Sequence, residues 1–227
     1  MIMEQALKNV PLFANLSDKE FKILSSAGSV RKFDRSETII HKSDIGDTFF
    51  SILSGKVKVV LTDEEGKEFI VGILKQLEFF GELSLLDGEP RSASVVALEP
   101  TEVLVLKRDD FLGQITNNPG LCIKIIGVLG SRLRKANHQI ENLVFLDVCG
   151  RLARMLLDMA ESQGVKKTEQ GLVIDVDFSR TELANIVGTT RETLTRALKT
   201  LENMGYIAIK KNRLTITDEA GLKRRMY

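Results

Sequence analysis

The sequence predicts an α+β protein: an N-terminal antiparallel β jelly roll, a long dimerisation helix and a C-terminal winged helix-turn-helix. Three observations point there. Residues 29–107 divide into short apolar or alternating runs separated by turn signals. Across residues 122–143, apolar side chains recur at alternating intervals of four and three. Residues 179–204 read as two short capped helices joined by a glycine. The expected divisions are 1–118, 119–146 and 147–227.

Residues 1–28 read as short helices. Ser17 and Glu20 form a capping box, in which hydroxyl and carboxylate each satisfy one orphan backbone N–H, and Leu12, Phe21 and Leu24 supply apolar contacts. In the β region, residues 48–53 form an apolar strand ended by Ser54 and Gly55. Residues 56–61 alternate, with Val57, Val59 and Leu61 on one face. Residues 62–66 make a hairpin loop, and residues 69–73 return. Further strands are expected at 93–98 and 102–106. No segment with helical period interrupts these strands, which excludes an alternating α/β sheet.

Residues 109–116 read as a short helix interrupted by Asn117, Asn118 and Pro119. The long helix follows. Its seam is Cys122, Ile126, Leu129, Leu133, Ala136, Ile140 and Leu143, with Arg132, Arg134, Lys135 and Glu141 off it. A helix packed only on its own domain shows a broader stripe, so the narrow seam predicts a parallel homodimer. Phe145, Leu146 and Asp147 end this helix, and Asp147 is placed to cap the next one, whose buried side is Leu152, Met155, Leu156 and Met159. Residues 163–171 form a polar loop.

In the helix-turn-helix, Ser179 and Glu182 form a second capping box, and Leu183, Ile186 and Val187 give the first helix its apolar stripe. Ala184 is small where two helices cross. Gly188 supplies the sharp turn, which needs a positive φ that glycine adopts without steric cost. Thr190 caps the second helix, Leu194, Leu198 and Leu201 bury one side, and Arg191, Glu192, Thr195 and Arg196 project elsewhere. Such a second helix suits a DNA major groove. Arg191 and Arg196 match guanine O6 and N7, and Glu192 matches a cytosine amino group. Ser179 and Arg180 open the first helix. Residues 206–209 and 213–216 flank Lys210, Lys211 and Asn212, a wing whose lysines suit phosphates. A solvated αα-hairpin and a solvated turn are the plain alternatives.

Composition bounds the remaining classes. The chain has 227 residues, 43% of them hydrophobic, without an 18-residue apolar run or a signal-peptide pattern, so a cytoplasmic protein with no membrane partner is expected. A net charge of +1 hides an asymmetry: residues 150–227 carry 14 Lys+Arg against 10 Asp+Glu, a net +4, while residues 1–149 carry 18 against 21, a net −3. Two cysteines, Cys122 and Cys149, cannot build a four-cysteine metal site and read as buried small apolar residues. His41 and the lone His138 have no second ligand in the pattern. No metal or covalent cofactor is expected.

One β-region segment stands apart: Gly81, Glu82 and Leu83 open a short helical turn, and Arg91 and Ser92 follow a loop holding Gly88 and Pro90. Helix-start N–H groups suit a phosphate, Arg91 suits two hydrogen bonds to it, and Glu82 suits a sugar hydroxyl. The alternative is a surface Glu82–Arg91 ion pair. A phosphodiester-processing enzyme is a further alternative, disfavoured because the sequence offers no metal-ligand cluster and no activated nucleophile. The expectation is that the chain is not an enzyme.

The segment FGELSLLDGEPRSASV resembles the phosphate-binding cassette of cyclic-nucleotide-binding domains. Together with the downstream helix-turn-helix, nearly the whole chain resembles the Crp/Fnr family of bacterial transcription regulators. The resemblance implies that Gly81 and Leu83 (through backbone), Glu82 (ribose 2′-OH), and Arg91 with Ser92 (cyclic phosphate) hold a cyclic nucleotide, cAMP foremost. It implies a hinge at Phe145, Leu146 and Asp147, a homodimer on double-stranded DNA, a TGTGA-like inverted repeat, and RNA polymerase as a partner. The cassette loop is one residue shorter than in enterobacterial members. Where those members present a Thr-Ser pair to the base, this chain has Ala136 and Asn137, of which only Asn137 can hydrogen-bond a purine edge. Thr195 also departs from the family's small residue there. A family regulator that binds DNA but senses another signal, or none, is the alternative.

Overall fold

The computed structural model describes residues 10–13, 16–165, 168–169, 171–210 and 213–226. The helical reading of residues 1–9, and Lys211 of the wing, lie outside the described residues. The chain divides into two compact units, residues 1–134 and 135–227.

In the first unit, helix α1 (Asp18–Ala27) begins at the expected capping box: the Ser17 hydroxyl accepts from Glu20 N–H, and the Glu20 carboxylate accepts from Ser17 N–H at 2.7 Å. Eight strands follow: β1 (Ser29–Phe33), β2 (Thr38–Ile40), β3 (Thr48–Ser54), β4 (Lys56–Thr62), β5 (Glu68–Lys75), β6 (Phe79–Phe80), β7 (Ser94–Ala97) and β8 (Thr101–Lys107). They form two four-stranded antiparallel sheets, ordered β1-β8-β3-β6 and β2-β7-β4-β5, the double-sheet pattern of a jelly roll. Helix α2 (Leu83–Asp87) sits between β6 and β7.

Strand β3 shows why both of its faces are apolar. Phe50 and Ile52 point into the cluster between the sheets, with Phe80 stacked on Phe50 at 5.0 Å. Phe49 and Leu53 face the other way, where Phe49 stacks on Phe111 at 4.3 Å. Period-two alternation explains the division, because a strand buried on two sides needs apolar residues at successive positions. Phe111 belongs to α3 (Arg108–Asn117), which together with α1 covers that second face.

The long helix α4 (Pro119–Phe145) starts where the Asn-Asn-Pro break falls. Pro119 takes the first helical position, where its missing N–H costs nothing, and the Asn118 side chain accepts from Leu121 N–H at 3.1 Å. Its first half is apolar on two faces. Leu121 and Ile125 are buried in the core of the first unit, and Val128 and Leu129 pack against it. Ile126 and Leu133, at seam positions, are open to solvent, as are Ile140 and Leu143 in the second half. Leu129 is therefore a seam position already used within its own unit.

In the second unit, α5 (Val148–Ser162) is capped by Asp147, whose Oδ1 accepts from Gly150 N–H at 2.7 Å. Then come β9 (Leu172–Asp175), α6 (Arg180–Val187), α7 (Arg191–Asn203), β10 (Ile207–Lys210), β11 (Arg213–Ile216) and α8 (Glu219–Arg224). The sheet order is β10-β11-β9, all antiparallel. Leu152 and Leu156 of α5, Leu183 of α6, Leu194 and Leu201 of α7 and Ile216 of β11 meet in one core. Cys122 and Cys149 are half-buried free thiols rather than fully buried residues, and Cys149 packs against the core of the second unit.

Candidate functional site

The turn after β6 gathers the cassette residues. Gly81 has φ +81, and a Cβ there would lie 2.8 Å from an Arg91 terminal nitrogen and 3.1 Å from the Thr48 carbonyl oxygen. Only glycine combines that backbone conformation with that closeness. Arg91 is 7% exposed, and its two terminal nitrogens are both engaged. Nη1 donates to the Gly81 carbonyl (2.6 Å) and the Ser84 hydroxyl (2.8 Å). Nη2 donates to the carbonyl (2.7 Å) and hydroxyl (3.1 Å) of Thr48. Gly46 makes room for this arrangement: a Cβ at Gly46 would meet the Ser84 hydroxyl at 2.2 Å and the guanidinium carbon at 2.8 Å. Burial lowers the Arg91 pKa from its ordinary value, while Asp47, Glu82 and Asp44 push it back up.

Glu82 is 2% exposed and does not form the surface pair with Arg91 that the sequence allowed. Its carboxylate accepts from Arg132 of α4 at 2.7 Å. Arg132 also donates to the Phe79 carbonyl and lies 4.9 Å over the Phe79 ring. Glu82 and Arg91 are thus both buried, each satisfied by a different set of partners, which repays part of the desolvation of each ion. Leu83 and Ser92 are exposed, and Leu83 opens α2 with Glu82 at its N-cap. Asn137 is exposed on α4 and belongs to the second unit.

Sequence reasoning missed Arg132, Thr48, Ser84 and Gly46. Arg132 carries a faint signal: a cation off the apolar seam of a long helix. The others lie in ordinary strand and loop contexts, and only the sheet topology brings Thr48, 43 residues away, to Arg91.

The helix-turn-helix forms as the pattern requires. Ser179 accepts from Glu182 N–H at 3.2 Å, and Glu182 accepts from Ser179 N–H at 2.6 Å. Gly188 caps α6 in the left-handed region at φ 72. Thr190 caps α7 through its hydroxyl, which accepts from Thr193 N–H at 3.2 Å. Ala184 is buried at the helix crossing. Arg180, Arg191, Glu192, Thr195 and Arg196 are all exposed. The Thr195 hydroxyl donates to the Arg191 carbonyl (2.8 Å), and Arg196 donates to the Thr193 hydroxyl (3.2 Å). The Glu192 carboxylate is held below the usual range, first by its own backbone N–H and then by Thr190, with Arg191 and Arg196 acting in the same direction. It is ionised at neutral pH and can only accept hydrogen bonds.

In the wing, Lys210 is exposed and pairs across the ladder with Arg213, so it ends strand β10 rather than sitting in the turn. At the expected hinge, Phe145 is the last residue of α4, Leu146 N–H donates to the Asn142 carbonyl at 3.0 Å, and Asp147 pairs with Arg225. His138 pairs with Glu141 at 3.3 Å in solvent. Among the described residues, no cluster of three or more His, Cys, Asp or Glu is placed to hold a metal, and no helix is long and apolar enough to cross a membrane.

Known proteins share both halves of this architecture. Residues 30–118 match the cyclic nucleotide-binding domain, and residues 150–225 match the Crp-like helix-turn-helix domain. The CRP-like cAMP-activated global transcriptional regulator of Mycobacterium tuberculosis is 30% identical over 225 residues, covering 98% of this chain and 99% of that protein. The cAMP-activated global transcriptional regulator CRP of Escherichia coli O157:H7 is 36% identical over 180 residues, covering 79% and 85%. Among solved structures, the catabolite activator protein of Thermus thermophilus is 32% identical with a TM-score of 0.52, covering 95% of this chain and 98% of that one.

Proposed function

The chain belongs to the Crp/Fnr family of transcription regulators, and on that premise we propose that it is a homodimeric, cytoplasmic regulator switched by cAMP. The observation that carries the nucleotide reading is the burial of two opposite charges, Glu82 and Arg91, around the turn after β6. Glu82 and Arg91 are 2% and 7% exposed beside a left-handed glycine, an arrangement that suits a sugar hydroxyl and a phosphate. Backbone N–H groups of Gly81 and Leu83 and the Ser92 hydroxyl complete the phosphate and ribose contacts in this reading, and the Asn137 amide suits a purine edge. Nucleotide binding biases the hinge at Phe145, Leu146 and Asp147. The two copies of α7 then enter successive major grooves about 34 Å apart. Arg191, Glu192 and Arg196 read a TGTGA-like half-site, with Thr195 altering one position. Ser179, Arg180, Thr190 and Lys210 meet phosphates, as does Lys211. RNA polymerase is the further partner. The reaction is binding only, and no catalytic residue is assigned.

A second reading keeps DNA binding and omits the nucleotide. It draws on the Arg91 network, in which both terminal nitrogens already have protein acceptors. Isothermal titration of nucleotide-free protein with cAMP, cGMP and a cyclic dinucleotide separates the two. The first reading expects saturable heat with cAMP, one site per subunit, and tighter DNA binding in its presence. No heat with any of the three, together with unchanged DNA affinity, would leave the second.

The dimer has its own test. Leu133 is 64% exposed on the α4 seam. Leu133→Glu places a charge where the partner helix would pack, so light scattering should report half the wild-type mass at micromolar concentration. Burying an unpaired carboxylate in each subunit costs several kcal/mol, enough to dissociate an interface of this kind. A variant that keeps the wild-type mass would remove the seam as the interface.

A further inference from the structure

A leucine stands where the backbone favours glycine. Leu77, between β5 and β6, has φ +74, and it is 37% exposed. A bulky side chain in the left-handed region is strained, and such strain persists only where the surroundings over-determine it. Three hydrogen bonds do so here. Leu77 N–H donates to the Ile52 carbonyl (3.0 Å), Ile52 N–H to the Glu78 carbonyl (2.9 Å) and Glu78 N–H to the Lys75 carbonyl (3.0 Å). The turn is thus pinned to β3, and Leu77 lines a cleft of about 490 Å³ within the first unit.

The rest of the apolar lining comes from separate segments. Leu12 precedes α1, Phe79 opens β6, and Gly127 and Val128 belong to α4. Gly127 keeps the cleft open, since a Cβ there would meet nothing within 4 Å. Neither Gly127 nor Val128 is a seam position, so pairing of two long helices does not call on this face.

Three charged side chains border the cleft, and two are committed elsewhere. Arg132 gives Nη1 to Glu82 and Nη2 to the Phe79 carbonyl, with its guanidinium over the Phe79 ring. The Glu78 carboxylate accepts from Lys75 N–H at 3.0 Å, within its own turn. Lys124 donates to the Pro11 carbonyl at 2.8 Å, and among the described residues no carboxylate pairs with it. Lys124 precedes Gly127 and Val128 by three and four residues, so it stands one helical turn away on the same face. The cleft therefore offers an apolar surface with an uncompensated cation at one end.

We infer that this cleft binds a small amphiphilic carboxylate of the fatty-acid class. Its carboxylate sits on Lys124, and its hydrocarbon chain lies over Gly127 and Val128 against Leu77 and Phe79. The volume falls within the range of small-molecule sites, about 300–1,000 Å³. Burial of the chain supplies the affinity, and the lysine selects the head group. The strain at Leu77 has a use here, because it presents an apolar wall that glycine would lack. The site uses none of the residues assigned to nucleotide or DNA, so it stands whether or not cAMP is the effector.

Equilibrium dialysis of the full chain against decanoate, with decanol and decylammonium as matched controls, tests the site. The wild-type protein should bind decanoate saturably, one per subunit, and more tightly than either control. Gly127→Leu fills the cleft from a position where leucine is the better helix former, so it should stay folded and weaken decanoate binding by about tenfold or more. Lys124→Met keeps an apolar stem without the charge. It should weaken decanoate about fivefold and leave decanol unchanged. Leu77→Gly relieves the backbone and removes the wall, so the protein should stay folded and bind decanoate about tenfold more weakly. Circular dichroism checks the fold of each variant. No saturable uptake by the wild-type protein would overturn the inference. So would decanoate affinity that Gly127→Leu leaves intact, or decanol or decylammonium binding as tightly as decanoate.

Discussion

Arg91→Ala is expected to abolish cAMP binding and to destabilise the first unit by about 2–4 kcal/mol. The two effects have separate causes. The binding effect follows from the proposed phosphate contact. The stability effect follows from the network, because removing the guanidinium strands the carbonyls of Gly81 and Thr48. An unsatisfied buried acceptor costs about 1–3 kcal/mol, and the hydroxyls of Ser84 and Thr48 can turn to other partners. Relief of the Arg91 desolvation, the first cause of its lowered pKa, offsets part of the loss, and water entering the vacated space offsets more. Arg91→Lys separates the effects further. It keeps the charge but cannot serve two carbonyls and two hydroxyls at once, so it should recover little stability and only weak nucleotide binding. Urea unfolding and calorimetry measure the two quantities on the same preparations. Wild-type cAMP affinity in Arg91→Ala would remove the phosphate assignment. Wild-type stability would show that the four hydrogen bonds are not what holds the turn together.

The sequence is legible where the determinants are local. Both capping boxes, Ser17 with Glu20 and Ser179 with Glu182, span four residues and form with both hydrogen bonds present. The break at Asn118 and Pro119 and the end at Phe145 bound α4 because capping and proline chemistry act within a turn. Strands with a strong apolar pattern, β3, β4 and β8, fall where that pattern puts them, a continuous apolar run in β3 and alternation in β4. Strand β1 has no such pattern. Four of its five residues are exposed, and it exists because β8 offers a ladder, from Ser29 opposite Val105 to Phe33 opposite Thr101. β6 has two residues, too few for any period.

The site was half legible for the same reason. Gly81, Glu82 and Arg91 carry a local pattern, but their partners do not. Glu82 meets Arg132 across 50 residues, and Arg91 meets Thr48 across 43. Neither pairing is encoded by spacing, since both depend on which strands and helices pack together. The seam on α4 shows the opposite limit. Alternating intervals of four and three identify an apolar stripe but not what covers it, so Leu129 reads like Leu133 although the first packs within its own unit and the second is open.

Arg191→Ala is expected to cost about 1–3 kcal/mol at each half-site, or about 2–6 kcal/mol on a symmetric operator. Arg191 opens α7 directly after its Thr190 cap, and it is exposed where the N-terminal end of a recognition helix meets base edges. Its neighbours are arranged to leave that role open. Glu192 is held ionised by hydrogen bonds from its own N–H and from Thr190, and the Thr195 hydroxyl donates inward to the helix backbone. The discriminating quantity is therefore the ratio of affinities for the preferred and random duplexes rather than affinity alone. In Arg191→Ala that ratio should fall by most of the lost energy, because a guanidinium on guanine contributes to one sequence and a charge near the backbone contributes to all. Lys210→Ala supplies the contrast. It removes a cation at the end of a strand, so it should weaken both duplexes alike and reduce the salt slope by about one. If Arg191→Ala behaves as Lys210→Ala is expected to, with equal losses and a shallower salt slope, then Arg191 contacts phosphate. Base reading would then shift to Arg196 and Glu192, five residues and one residue further along the same helix and likewise exposed.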